Sequence, residues 1–299
     1  MIICCGEALI DMIPSKDAGG ADAYTPHAGG AVFNTAIGLG RLGAPVGFLS
    51  GISTDFFSDM LIAGLKASNV DTGQVIMSDR RTTLAFVKLT NGHATYLFFD
   101  ENSAGRMLDA DQLPDIPDAT TALYFGGISL INLPAADFYV ALAAREASNR
   151  VIMADPNIRM NFVTDEDAYR ARLDVLVAHT DVLKVSDEDL DWIVPGDQSL
   201  TEKAGTLLKA GPKVVIITRG SEGATALFGT DQVVDVPAQR STVVDTVGAG
   251  DTFNSGVLAY LSEHGLLSKR ALQDITAEHV TGALAMGAKV AGITVSRAG

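Results

Sequence analysis

The sequence predicts a single α/β domain built on a mainly parallel sheet covered on both faces. Short apolar runs alternate with helical patterns along most of the chain, the order expected of strand–helix–strand units. The 299 residues are 47% hydrophobic with a mean hydropathy of +0.23, enough for a large core and unlike a disordered chain. No internal repeat, low-complexity tract or linker divides them, so one domain over residues 1–299 is expected.

Ile2–Cys5 is an apolar run ending at Gly6 and reads as a buried strand. Residues 31–42 read as a helix, closed by Gly43 as C-cap and by Pro45. Residues 46–50 read as a strand, and Phe56–Ala67 as a helix opened by the Ser53-Thr54-Asp55 capping cluster. Further strands are expected at 122–125, 151–154, 182–185 and Val214–Thr218. Ala224–Phe228 and Gln232–Val236 form a hairpin near the sheet edge. A ligand for such a sheet belongs beyond the carboxyl ends of its strands.

Two stretches break the rhythm. Residues 82–90 and His93–Phe99 flank Asn91-Gly92, a strong hairpin signal, and Thr83, Ala85, Val87 and Leu89 alternate onto one side. Residues 13–28 are rich in Gly, Pro, Asp and Ala. Both read as a small β layer projecting from the main sheet, from about 12–28 and 80–104. It serves either as a lid that excludes water or as a plain surface hairpin.

Composition excludes several functions. A net charge of −14 and a pI near 4.6 disfavour nucleic acid and anionic membranes as partners, and no Lys/Arg cluster offsets this. No uncharged apolar segment reaches about 18 residues, and no signal peptide is indicated. Cys4 and Cys5 are neighbours on a strand and point to opposite faces, so a bridge is not expected and a cytoplasmic setting is. The five histidines are scattered without metal spacing. Gly38-Leu39-Gly40-Arg41-Leu42-Gly43 fits G-x-G-x-x-G but closes a helix rather than opening one, so a dinucleotide site is rejected. Close helix packing explains Gly38 and Gly40.

The chemistry concentrates late in the chain, at Asp245-Thr246-Val247-Gly248-Ala249-Gly250-Asp251-Thr252-Phe253. Phe253, Val257, Tyr260 and Leu261 make one apolar helix face, which puts Gly248, Ala249 and Gly250 at that helix's N-terminus. Free amides and the helix dipole favour an anion there, and glycine lets a phosphate approach closely. An acid at the same spot would repel that anion unless it has work to do. Asp251 fits a base that deprotonates an attacking hydroxyl while the amides hold a transferring phosphoryl group. The plainer alternative is a Gly-rich turn with a charged helix start.

These residues, together with Gly29-Gly30-Ala31-Val32-Phe33-Asn34, Arg41-Leu42-Gly43 and Gly51-Ile52-Ser53-Thr54-Asp55, resemble the ribokinase/PfkB carbohydrate kinases along nearly the whole chain. Gly6-Glu7-Ala8-Leu9-Ile10-Asp11 and Asp155-Pro156-Asn157-Ile158-Arg159 look most like the fructokinase branch. The resemblance implies a ribokinase-like three-layer sandwich with a small β lid, and an ATP- and Mg2+-dependent sugar kinase.

By position it makes Asp251 the catalytic base and Gly248, Ala249 and Gly250 the anion hole. Asp11, read as the end of the first strand, Gly29, Gly30 and Asn34 fall on the sugar side. Arg159 could meet either phosphate or the sugar. Lys184, Ser186, Thr218, Arg219, Gly220, Gly223, His279, Gly282 and Ala283 fall on the nucleotide side. Asp189 falls near magnesium, but Ser186 and Asp189 replace the family's Asn and Glu, so a water bridge is expected at best. A charged first helix turn explains Asp189 equally well. Asp245 and Thr246 resemble the start of a K+ site completed by carbonyls near 288–294.

Fructose is the first substrate choice. The runner-up is 2-keto-3-deoxygluconate, with Arg106 or Arg159 for its carboxylate, and ribose and nucleosides follow. A sugar-binding regulator without catalysis is disfavoured because Asp251 and its glycines are present. The lid offers an edge for a homodimer, though a monomer fits equally.

Overall fold

Every residue of Ile2–Cys5 (β1) is buried, because its two faces serve two different cores. Much the same holds along the inner strands of the main sheet of the computed structural model, which describes residues 1–90 and 93–297. The strands follow as Leu9–Lys16 (β2), Asp22–Gly29 (β3), Val46–Leu49 (β4), Gly51–Ser53 (β5), Val70–Asp71 (β6), Ile76–Ser78 (β7), Leu84–Thr90 (β8) and His93–Phe99 (β9). Ala122–Gly126 (β10), Val151–Asp155 (β11), Val182–Ser186 (β12), Val214–Thr218 (β13), Ala224–Phe228 (β14) and Gln232–Val236 (β15) complete them. The helices are Ala31–Arg41 (α1), Phe56–Ala67 (α2), Ala135–Glu146 (α3), Glu166–His179 (α4), Asp187–Ile193 (α5), Leu200–Ala210 (α6), Ala249–Glu263 (α7), Lys269–Gln273 (α8) and Ala277–Val295 (α9).

Among the described residues nine strands pair in the order β15-β14-β13-β12-β11-β10-β1-β4-β6. Only β14 runs against the others. Alternate residues divide between two helical layers. Ile2, Cys4, Tyr124, Met153, Val182 and Ile216 pack with α1, α2, α7 and α9. Ile3, Cys5, Phe125, Ile152, Leu183 and Ile217 pack with α3, α4, α5 and α6. Two helix layers around a parallel sheet make the expected three-layer sandwich, and Cys4 and Cys5 are both buried free thiols on opposite faces.

The lid is a separate four-stranded sheet in the order β3-β2-β8-β9. It is longer at its first strand than the sequence suggested, because β2 starts at Leu9. Asp11 therefore belongs to β2 in the lid, paired with His27 and Ala85, and not to the end of the first strand. The Asn91-Gly92 turn lies outside the described residues. Asp55 caps α2 through the Phe57 amide and also accepts from the Thr82 amide and hydroxyl, anchoring the segment that enters β8.

The glycine pattern near α1 is structural, as context required. A Cβ on Gly38 would lie 2.3 Å from Ser255 Oγ on α7, and one on Gly40 would lie 1.9 Å from the Ser68 carbonyl oxygen. Leu42 is the C-cap of α1, one residue earlier than expected, and Gly43 follows it at φ +82°. The left-handed residue after the cap is the one that needs glycine.

Candidate active site

Helix α7 starts at Gly248, which holds a left-handed φ of 75° as its N-cap. The first helical hydrogen bond runs from the Thr252 N–H to the Gly248 carbonyl at 2.9 Å. The Ala249 N–H turns back to Thr246 O at 3.3 Å. Among the described residues the Gly248, Gly250 and Asp251 amides meet no acceptor outside the helix, so three N–H groups stand at the positive end of a 15-residue helix.

Asp251 is buried in this first turn and accepts from Asn34 Nδ2 at 2.9 Å. Its backbone carbonyl accepts from the hydroxyls of Thr35 (3.1 Å) and Ser255 (3.0 Å), so α1 clamps the start of α7. Burial pushes the Asp251 carboxyl up to about 7; the charges of Asp155 and Glu7 add to this, while Asn34 and Lys184 oppose it. A carboxyl that titrates near neutrality and sits beside unpaired amides can take a proton from an alcohol.

The floor beneath is polar and paired. Lys184 donates to Asp155 Oδ2 at 2.9 Å, and both side chains are buried. Asn254, one turn after Asp251, donates to the same oxygen at 2.7 Å and to the Tyr124 hydroxyl at 2.9 Å. Glu7 follows β1 and accepts from the Ala31 amide (3.0 Å) and the Ser129 amide (3.2 Å), and burial raises its carboxyl pKa.

On the sugar side, burial pushes Asp11 up to about 6, with His27 pulling it down. A Cβ on Gly29 would come 2.2 Å from Asp11 Oδ2, so only glycine leaves the carboxylate its place. Gly30 has φ +111°, and its missing Cβ would lie 2.9 Å from the Glu7 carbonyl oxygen. The two ends of the β2–β3 hairpin thus meet the body at Glu7 and Gly30. Phe98 on β9 packs edge-on against Phe162 of the body, ring centroids 4.7 Å apart, which ties lid to body a second time.

These groups surround a cleft of about 400 Å³ at the carboxyl ends of the strands. It is lined by Asp11, Gly30, Asn34, Arg159, Lys184, Thr246, Gly248, Ala249, Gly250 and Asp251. Gly29 lies just behind Asp11. The cleft also includes Glu7, Phe98, Gly127, Asp155, Asn157, Asn161 and Phe162, to which the sequence reading assigned no role. Glu7 and Asp155 carry a usable signal, an acid just past or ending an apolar parallel strand. Phe98, Asn161 and Phe162 carry none, since Phe98 meets the body residues Asn161 and Phe162 only once the lid has folded over them.

The other expected residues stand outside this cleft. Ser186 and Asp189 form a capping box on α5, and the second Asp189 oxygen accepts from the Ile158 amide at 3.1 Å. Burial and the Asp155 charge raise the Asp189 pKa. Thr218 ends β13 and donates to Val185 O at 3.4 Å. Arg219 pairs with Asp235 (3.4 Å) and Glu222 (3.6 Å). Gly220 and Gly223 shape the turn into β14, with φ +51° and +102°, and a Cβ on Gly223 would lie 2.2 Å from Val236 O.

His279 packs on the Thr276 cap of α9, Gly282 leaves room for the Tyr260 ring, and Ala283 is core. Asp245 accepts from the Val247 amide at 3.0 Å, and its own amide reaches Val295 O at 3.3 Å, just past the 288–294 carbonyls expected to complete a cation site. Arg106 is held by Asp100 at 3.0 Å and by Leu133 O, away from the cleft lining. No described helix is long and apolar enough to cross a membrane.

Comparison with known proteins agrees with this geometry. The model of the pfkB family of carbohydrate kinases matches residues 1–299. A fructokinase of Rhizobium leguminosarum bv. trifolii is 50% identical over 276 residues, 92% of this chain and 84% of that protein. A fructokinase of Klebsiella pneumoniae is 32% identical over 289 residues, 95% of this chain and 92% of its own. The crystal structure of a fructokinase with bound ATP from Xylella fastidiosa superposes with a TM-score of 0.89 at 26% identity, covering 100% of this chain and 92% of that one. The Asp251 loop, the sheet between two helical layers and the lid have their explanation in one conclusion: the chain belongs to the pfkB family of carbohydrate kinases.

Proposed function

We propose that this kinase is a fructokinase, transferring the γ-phosphoryl group of ATP to a primary hydroxyl of fructose. One observation carries the reading: a buried carboxyl that titrates near 7 shares the first turn of α7 with unpaired amides and faces the same cleft as Asp11. The 50% identical fructokinase supports fructose as the acceptor.

Fructose binds under the lid, with Asp11 accepting from its hydroxyls and Asn34 beside the reacting one. Lid closure brings the primary hydroxyl in line with the γ-phosphorus. The hydroxyl proton passes to Asp251, the new O–P bond forms, the bond to the β-phosphate oxygen breaks, and ADP leaves. Of the expected anion-hole residues Gly248, Ala249 and Gly250, the Ala249 amide turns back to Thr246, so the Gly248 and Gly250 amides, joined by that of Asp251, hold the charge on the transferring group.

Magnesium fits as a passenger of the triphosphate. Among the described residues no cluster of three or more His, Cys, Asp or Glu is arranged to hold a metal, and Mg2+ commonly keeps its waters and binds through phosphates. Each Asp189 oxygen accepts one amide and keeps a lone pair, enough for a water on the ion. When bound, the ion neutralises developing phosphate charge.

A K+ ion beside Asp245 and Thr246 belongs to the same proposal, as does a homodimer through the lid. Tyr24, Leu97 and Phe99 expose apolar surface on the two outer lid strands, β3 and β9, which supports the lid as an interface. Free thiols and dependence on ATP suit the cytoplasm. A second reading, 2-keto-3-deoxygluconate, rests on Arg159, whose exposed side chain lines the cleft.

A coupled ATP-consumption assay over fructose, 2-keto-3-deoxygluconate, ribose and nucleosides, with and without K+, tests the assignment. Fructose is expected to give the highest kcat/KM by at least about tenfold. Preference for the sugar acid would overturn it.

A further inference from the structure

Three buried polar groups lie under the anion loop, and two of them, Asp155 and Asn254, have no assigned task. Asp155 ends β11, Lys184 lies on β12, and Asn254 lies on α7 one turn past the base. Lys184 and Asn254 meet on a single atom, Asp155 Oδ2, at 2.9 and 2.7 Å. The ammonium lies 3.5 Å from where a Cβ of Gly250 would stand, directly beside the amide that would receive a phosphoryl oxygen. Among the described residues its one hydrogen-bond partner is Asp155, so two of its three donors are left for an anion.

A flexible four-carbon ammonium does not hold such a place unaided. A buried ion pair is also a poor stabiliser by itself, since desolvation offsets its attraction, so its retention in a cleft floor calls for a task. The pair also acts on the base: the Asp155 charge raises the Asp251 pKa and Lys184 lowers it.

We infer that Asp155 is a positioning residue for phosphoryl transfer. Its Oδ2 aims the Lys184 ammonium at the transferring phosphate and fixes that cation to α7, the helix that carries the base, through Asn254. Ammonium and base then keep a fixed separation while the phosphorus moves between donor and acceptor oxygens. The inference rests on Asp251 being the base of a kinase, as proposed above.

The test is a double-mutant cycle of Asp155→Asn and Lys184→Met, read as kcat, as KM for fructose and for ATP, and as thermal midpoint. Asp155→Asn is expected to lower kcat about 10–100-fold, the scale of a misplaced reacting group, with KM for fructose within about threefold. In the Lys184→Met background it should have almost no further effect, because the group it aims is gone. Asp155→Glu keeps the charge but displaces the ammonium, so it should fold and still lose turnover; if Asp155→Asn does not fold, the cycle is run with Asp155→Glu. Equal losses in both backgrounds, a change confined to fructose KM, or full turnover in Asp155→Glu would each overturn the inference. A wild-type enzyme that phosphorylates no sugar would instead overturn the functional reading.

Discussion

Asp251 is costly to ionise where it stands, and that cost is what makes it useful. An ordinary aspartate is too weak a base to draw a proton from an alcohol efficiently at neutral pH. Burial lifts this one to about 7, where ionised population and basicity are balanced. The sign of the pH dependence follows. The base must be charged, so kcat/KM should rise with pH up to about 7 and fall about tenfold per unit below it. Asn34 donates to the charged form and opposes the rise. In Asn34→Ala the break in the pH profile should therefore move to higher pH. A break below pH 5 in the wild type, or no movement in the variant, would remove Asp251 from this role.

The position of the base depends on how closely α7 lies against its neighbours. A Cβ on Gly256 would come 2.7 Å from the Cα of Gly287 on α9, and one on Gly287 would come 2.9 Å from the Phe253 ring. Backbone meets backbone there, so little can yield. Gly256→Ala should cost about 1–3 kcal/mol by overpacking, visible as a lower thermal midpoint in calorimetry. An unchanged midpoint would mean that the helix pair is looser than its geometry indicates.

Such contacts are hidden in the sequence because they join distant segments, whereas helix α7 itself was legible from Phe253, Val257 and Leu261. The main strands were legible too, since burial on both faces leaves a continuous apolar run. Strand β2 was only partly so. Its second half carries Pro14, Ser15 and Lys16, a composition that reads as loop, and Pro14 lies beyond the Ile10, Asp11 and Met12 stretch that pairs with β8.

Across the whole molecule, the site is assembled where strand ends, lid and α7 converge. The loop around Asp251 was legible because its glycines and its acid are contiguous. Its support was not: Asn34 lies 217 residues from Asp251, Asn254 lies 130 from Tyr124 and 99 from Asp155. Only the sandwich brings them together. The residues near 218–223 and 279–283, expected on the nucleotide side from resemblance and position, make turn and helix-packing contacts in the structure. What remains decisive is whether the acid at the head of α7 removes the proton. Steady-state turnover of Asp251→Asn with ATP and fructose, measured beside fructose binding, answers this. Turnover should fall about 10²–10⁴-fold or more while fructose still binds. Near-normal turnover in that variant would contradict the mechanism.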